Sequence, residues 1–421
     1  MSKKLMSTST LLRNKLIWDR TAWDNIGQLA VISLAFAIPV STALTNILCV
    51  IILVAWLLGP RYSEKWAIFQ YHPLVQWLYP LIGLSFLGVI YSVADLAAIQ
   101  GGLRDCIRLL VIPVFIYFFS ARGVSRLAFF AFLSAMILTL VLAFLKVYFH
   151  FPIGLKYSMG GVFKCHIKTS FFMAISVFFL ASQVKQNKPY WLRLLLISLI
   201  MLMVYYLLFM NAGRIGYMVL VLGTLILAWQ RYRFKGIAIS ALLALITIIG
   251  AYATSDIFSQ RINLLAQDFD FYQQGGRLHE SSLGSRITFA TNSLTLIKEH
   301  PLLGWGTGSF GSAYEKTFAD QHTLLTDNPH NEYLRITVEF GLLGLACLLL
   351  LLYQQWRLSR QLPLEVRYLW QGIFITFITG CLFNSWLRDF TEGYYFSLMT
   401  AMVFAWLPIR KQVPLVNAVV H

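Results

Sequence analysis

The sequence predicts an all-α polytopic membrane protein of about twelve transmembrane helices, with one long, partly helical loop outside the membrane. Three observations predict it. Of the 421 residues, 58% are hydrophobic and 12% charged, with a mean hydropathy of +0.67, whereas a soluble domain carries roughly 25% charge. Apolar runs of roughly 20 residues, the length that crosses a bilayer, recur along most of the chain. The net charge is +16, but the basic residues punctuate the apolar runs instead of forming one stripe. Positive ends of membrane helices account for them, and a nucleic-acid partner is not indicated.

Residues 1–25 are basic and lack a short apolar core with a small-residue cleavage site, so they read as a retained cytoplasmic tail. Spans are then expected near 26–40, 43–59, 74–91, 107–120, 124–146, 169–184, 190–210, 212–230 and 236–254, nine before the long loop. Three more follow near 334–356, 366–386 and 393–409, before a C-terminal tail at 410–421. Little polar sequence divides the first span from the second, or the seventh from the eighth. Lys and Arg are concentrated in alternate short segments, among them 61–65, 122–126, 185–193, 231–235 and 357–367. That bias places both termini in the cytoplasm. Residues 255–333 then lie outside as one long loop holding half of the acidic residues, and loops of that length are usually functional. A shorter outer loop near 147–168 carries Lys156, Lys164, His166 and Lys168 against the positive-inside bias. An anionic ligand and lipid head groups both explain it. No internal repeat stands out, which counts against a secondary transporter.

The five cysteines, Cys49, Cys106, Cys165, Cys347 and Cys381, have no metal-ligand spacing. Most fall in apolar runs, where a buried free thiol is the default. Cys106 and Cys165 both fall near the outer face, which leaves a bridge between them open. No HExxH and no cluster of His and carboxylates at ligand spacing occurs, so neither metal nor cofactor is expected.

Within the long loop, GSRITFATNSLTLIKEH (284–300) reads as an amphipathic helix with Ile287, Ala290, Leu294 and Ile297 on one face. Ser285 is expected as its N-cap, with Arg286 in the first turn, a geometry suited to phosphate. An arginine paired with a loop carboxylate is the plainer alternative. Pro301 ends the helix. GWGTGSFG (304–311) follows, with glycines that permit close backbone approach to a ligand but without the context of a nucleotide loop. In TDNPHNEYLRITVEFGLLG (326–344), Asn328 is an expected N-cap and Pro329 the first helical residue, which puts His330 and Asn331 in the first turn of the tenth span. The positive end of the helix disfavours a charged imidazole, so His330 is expected to accept a proton as a general base. A histidine that merely bonds a nearby carbonyl is the alternative. Arg214, in NAGRIGY (211–217), sits at the outer junction of the seventh and eighth spans, where a charge is costly and usually functional unless it snorkels to the head groups. Arg388 stands beside Asp389, an adjacent partner that favours a structural role. Outside the membrane an enzyme needs a membrane-borne activated donor. A lipid-linked sugar diphosphate suits two arginines and a base: Arg214 and Arg286 for the departing diphosphate, and His330 for an acceptor hydroxyl.

His330-Asn331, nine residues and then Gly341-Leu342-Leu343-Gly344 resembles the pattern H-[NSQ]-x9-G-x-x-[GTY] of the bacterial O-antigen ligase family, within the O-antigen ligase and polymerase superfamily. The Arg286 helix followed by HPLLGWGTGSF, the length and the single large loop between spans nine and ten are similar too. The resemblance implies a GT-C-like inner-membrane glycosyltransferase with its active site facing the periplasm. It would move O-antigen polysaccharide from undecaprenyl diphosphate to lipid A-core, with inversion and without metal or cofactor. It also implies that Arg214 and Arg286 handle the diphosphate and that His330 is the base. Asn331, Arg335, His166, Lys168 and Arg388 are further candidates for lining the substrate site. Polymerases and protein O-oligosaccharyltransferases share the superfamily pattern. The former tend to have two substantial periplasmic loops and the latter extra C-terminal sequence, so a ligase is favoured. A transporter, a reading of another class, leaves His330 and Arg286 unexplained.

Overall fold

Each of these apolar runs falls largely on helix in the computed structural model, which describes residues 21–154, 160–185, 187–273, 282–319 and 324–409. The two tails and Lys156 of the expected outer loop lie wholly or largely outside the described residues. The first half contains α1 (Ala22–Val40), α2 (Thr42–Leu58), α3 (Tyr62–Tyr71), α4 (Tyr79–Leu87), α5 (Leu96–Leu110), α6 (Ile112–Phe119) and α7 (Val124–Tyr148). Then come α8 (His166–Gln183), α9 (Tyr190–Tyr205), which continues as a π-helical turn at Tyr206–Met210, and α10 (Arg214–Thr254). The expected outer loop holds α11 (Asp256–Gln273), α12 (Ser282–Glu299) and α13 (Phe310–Phe318), before α14 (Glu332–Ser359), α15 (Leu364–Gly380) and α16 (Phe390–Phe404). No strand occurs among the described residues. By length and composition, α1, α7, α9 with its π-helical turn, α10 and α14 can each cross a membrane, and α2 with α3 form a pair bent by 112°.

Small polar features divide the apolar stretches. Ser41 alone separates α1 from α2, and its hydroxyl caps α2 by accepting from Leu44 N at 3.2 Å. Between α9 and α10, the Asn211 carboxamide accepts from Gly213 N (2.8 Å) and donates to the Tyr206 hydroxyl (2.9 Å). Helix α10 is two limbs: Arg233 takes φ 55°, and a Cβ on Gly236 would stand 2.4 Å from the Ala228 carbonyl oxygen. In a straight helix those residues lie about 12 Å apart along the axis, so the chain folds back here.

The main core is aromatic. Phe132, Phe171, Phe172, Phe179, Trp386 and Tyr395 are buried together, with Phe171 and Trp386 ring centroids 4.4 Å apart. The segment between α10 and α14 has a small core of its own, in which Phe289, Leu296, Trp305, Phe310, Tyr314 and Phe318 pack on Val338 of α14. Two of its polar side chains bond internally: Trp305 Nε1 donates to Leu296 O at 3.0 Å and Asn292 to the Tyr314 hydroxyl at 2.8 Å.

Two sequence expectations are corrected in this segment. Helix α12 starts at Ser282, so Ser285 is not its cap and Arg286 stands beyond its first turn. No proline or β-branched residue stops the helix from extending back through Leu283 and a buried Gly284. Its buried face is Phe289, Ser293 and Leu296, with Leu294 exposed, because the Ser293 hydroxyl bonds its own helix at Phe289 O (2.6 Å) and can be buried without cost. The glycine-rich loop makes its close approach to backbone. Helix α14 breaks at Gly341 (φ 64°), and the carbonyls of Val338 and Glu339 accept from Trp305 N (2.9 Å) and Gly306 N (2.8 Å). Leu342 N in turn donates to Pro301 O at 2.8 Å. The stretch from Val338 to Leu342 is thus the place where the loop is clamped to the helix.

Candidate functional site

The start of α14 differs from expectation in one instructive way. Asn331, not Asn328, caps the helix: its side chain accepts from Leu334 N at 3.0 Å, and its extended backbone makes Glu332 the first helical residue. His330 therefore precedes the helix and takes φ 53°, a left-handed conformation that costs energy for any residue but glycine. Asn328 holds it there. The Asn328 side-chain oxygen accepts from His330 N (2.9 Å) and from the Ser385 hydroxyl (2.7 Å). The competing cap wins because an Asn three residues before Leu334 satisfies a free helical N–H directly.

The imidazole has a defined environment. Its Nδ1 lies 3.0 Å from Asn384 Oδ1, and Asn384 Nδ2 donates to Asp389 Oδ2 at 2.9 Å. With the amide nitrogen turned to the carboxylate, the amide oxygen faces the ring, so Nδ1 carries a hydrogen, and in the neutral tautomer this leaves the lone pair on Nε2. Among the described residues Nε2 has no hydrogen-bond partner. Burial pushes the Asp389 carboxyl up, against the pull of Lys168, Arg388 and His330. On its other side the ring packs against Phe289 of α12, with centroids 6.2 Å apart.

That contact brings in Arg286, one helical turn before Phe289. The Arg286 guanidinium is partly buried, and burial together with the positive charge of Arg214 pushes its pKa down. Arg214 is the first residue of α10, directly after the break at Asn211–Gly213. A third arginine joins them. Phe258 of α11 packs on Tyr217 of α10 with centroids 4.8 Å apart, which sets Arg261, one turn on, within electrostatic reach of Tyr217 along with Arg214. Among the described residues, none of these arginines has a carboxylate partner. Like charges held together in a partly desolvated place favour an anion. Arg261 also lies near His166, whose pKa is lowered by burial and then by that arginine.

The remaining residues singled out in the sequence are engaged within the protein. Lys168 pairs with buried Glu392 at 3.1 Å. Arg388 pairs with Asp327 at 2.7 Å and ties the 324–331 segment to the 384–389 loop. Arg335 is buried among Glu332, Glu339 (2.9 Å) and Asp105 (3.7 Å), so its charge is compensated inside the fold. The Asn331 amide, besides its capping role, donates to Leu382 O at 3.1 Å. All five cysteines are free thiols, Cys106 and Cys165 included. Sequence reasoning missed Arg261, Asn384 and, as a partner of the histidine, Asp389. NSWLRDF drew notice only for its charged pair, and nothing in the spacing links residue 384 to residue 330.

Residues 196–349 match the family described as O-Antigen ligase. The match runs from within α9 to the middle of α14, and over that part the chain is similar to the O-antigen ligase family. The matched stretch contains Arg214, Arg261, Arg286, His330 and the glycines at 341 and 344, whereas Asn384 and Asp389 lie beyond it. An uncharacterised protein of Haemophilus influenzae is 31% identical over 149 residues. That alignment covers 34% of this chain and 37% of the relative's length.

Proposed function

We propose that the chain is a bacterial inner-membrane glycosyltransferase that transfers O-antigen polysaccharide from undecaprenyl diphosphate to lipid A-core on the periplasmic face, completing lipopolysaccharide. One observation carries the reading: His330 has Nδ1 committed to the Asn384–Asp389 pair and its ring packed on Phe289, one turn from Arg286, and among the described residues neither Nε2 nor that arginine has a partner to neutralise it. The family match over 196–349 supports polysaccharide and lipid-linked substrates. On this reading the twelve apolar runs are twelve crossings, both tails are cytoplasmic and residues 255–333 are periplasmic.

In the proposed reaction Arg214, Arg286 and Arg261 hold the diphosphate of the donor. His330 Nε2 takes the proton of an acceptor hydroxyl as its oxygen attacks the anomeric carbon. The bond from that carbon to the diphosphate oxygen breaks and its electron pair leaves with the diphosphate, where the arginines stabilise the added charge. Attack from the side opposite the leaving group inverts the anomeric centre. Asp389, acting through Asn384, stabilises the imidazolium until its proton passes to water. Diphosphate leaves without protonation, so the scheme invokes no metal. His166 lines the anion site beside Arg261, and Asn331, Lys168, Arg335 and Arg388 hold the frame.

The test is genetic. The gene is deleted in its host and complemented with wild type or His330→Ala, and lipopolysaccharide is run on a gel. A ligase predicts bare core and accumulated lipid-linked polymer in the deletion and in His330→Ala. Core capped with one repeat points instead to a polymerase, and unchanged lipopolysaccharide in the deletion refutes both.

A further inference from the structure

Two buried ions grip a neutral peptide beneath the histidine. Glu332, fully buried, accepts with Oε2 from Leu387 N at 2.9 Å and from Arg388 N at 3.4 Å. Arg108 of α5, also buried, donates from Nε to Leu387 O at 3.3 Å and from Nη2 to Arg388 O. The N–H and C=O groups of the same two residues are thus held by an acid and a base from different helices. Arg335 and Asp105 link the two: Arg335 Nε donates to Glu332 Oε1 at 3.1 Å, Arg335 Nη1 lies 3.7 Å from Asp105 Oδ2, and Asp105 pairs with Arg108. The fold also makes room for the guanidinium, since a Cβ on Gly393 would stand 2.8 Å from Arg108 Nε.

Burying charges to bind peptide groups gains little stability over apolar packing of the same volume. What it supplies here is a fixed position for the loop. That loop carries Asn384 at one end and Asp389 at the other, the two residues that orient His330. Glu332 also stands two residues from His330 and donates its own N–H to Cys381 O at 2.8 Å, so the acid joins both sides of the site.

We propose that Glu332 and Arg108 are positioning residues for the transfer reaction, holding the Leu387–Arg388 backbone so that Asn384 and Asp389 stay aligned with His330. The inference rests on the base role proposed for His330. Displacement of such a constellation by about 1 Å costs on the order of 100-fold in rate.

The test uses the full-length protein in detergent, with undecaprenyl-diphosphate-linked O-antigen and lipid A-core, and rates normalised to the fraction that binds undecaprenyl diphosphate. Glu332→Gln is expected to lower kcat by about 10- to 100-fold with the donor KM within about twofold of wild type. The acid limb of its pH–rate profile moves to lower pH, because the Asn384–Asp389 pair no longer supports positive charge on the ring. In an Asn384→Ala background the same substitution costs less than about threefold, since the route through Asn384 is already cut. Arg108→Lys, which keeps the charge, retains more activity than Arg108→Ala, and it is read by the same criteria if Glu332→Gln does not fold. Losses that multiply in the double variant, or a change confined to KM, overturn the proposal while the base role stands. Full activity of His330→Ala overturns the base role, and this inference with it.

Discussion

Replacing Asn384 by alanine isolates the orienting arm of the proposed base. The substitution removes the oxygen 3.0 Å from His330 Nδ1 and the nitrogen 2.9 Å from Asp389, and leaves the ring and the arginines in place. With a neutral ring the lost bond is worth about 1 kcal/mol; with a charged ring such a bond is worth roughly 1.5–3 kcal/mol. Only the excess in the transition state affects kcat, about 0.5–2 kcal/mol. Loss of the fixed tautomer adds to this, because a ring free to carry its hydrogen on Nε2 is not a base in that form. At about 1.4 kcal/mol per tenfold, the bond alone lowers kcat by roughly 2- to 30-fold, and with the tautomer released the fall exceeds about threefold. That is less than the loss of His330 itself, for which a general base implies about 100- to 10,000-fold. The donor KM, which the proposed scheme assigns to the arginines, stays within about twofold. Initial rates of transfer to lipid A-core over a range of donor concentrations measure both quantities. If Asn384→Ala keeps kcat within about threefold of wild type while His330→Ala is inactive, the relay through Asn384 and Asp389 has no catalytic part.

Four further outcomes follow from the same geometry. Arg214→Gln and Arg261→Gln relieve repulsion among crowded cations, so the ligand-free protein melts at a higher temperature while undecaprenyl diphosphate binds about 10- to 100-fold more weakly, both read by thermal-shift titration. Gly341→Ala places a Cβ 2.1 Å from Leu302 O at a backbone φ of 64°, so it costs more than about 2 kcal/mol and lowers the folded yield in size-exclusion chromatography. Burial and Arg261 lower the pKa of His166 in the folded state. The folded protein therefore binds fewer protons at this site than the unfolded chain, and its contribution to stability is lost as pH falls through the ordinary histidine range towards the lowered value; His166→Gln flattens the fall in melting temperature between about pH 7 and 5.5. Transfer in excess EDTA proceeds at the untreated rate if, as proposed, guanidinium groups assist diphosphate departure; inhibition reversed by a divalent ion refutes that scheme.

Much of the helix pattern was legible because membrane spans are written locally. Backbone polar groups that water cannot reach must pair within the segment, so a continuous apolar run is enough to predict a helix. The π-turn after α9 and the reversal at Arg233 were legible only as boundaries, at Asn211–Gly213 and at the basic 231–235 segment. The small core under α12 was misread because Ser293 looks polar in sequence and is buried in fact, its hydroxyl satisfied by its own helix. The glycines at 304, 306 and 308 announced close approach, but sequence does not say to what. The answer, the broken turn of α14 and the ends of α4 and α5, lies elsewhere in the chain.

The sequence by itself determined that the chain is helical and membrane-suited, that its polar chemistry concentrates after α10, and that Arg214, Arg286 and His330 merit attention. Each of these is carried by composition, by local spacing or by the cost of a charge in an apolar context. Tertiary structure alone decided which nitrogen of His330 is committed, because its partner, Asn384, is 54 residues away. It also decided that Arg261 joins the arginines and that Arg335 does not, since both follow from which helices meet. Charge in a sequence is a property of one residue, whereas whether that charge is spent inside the fold or left available depends on partners that only packing supplies.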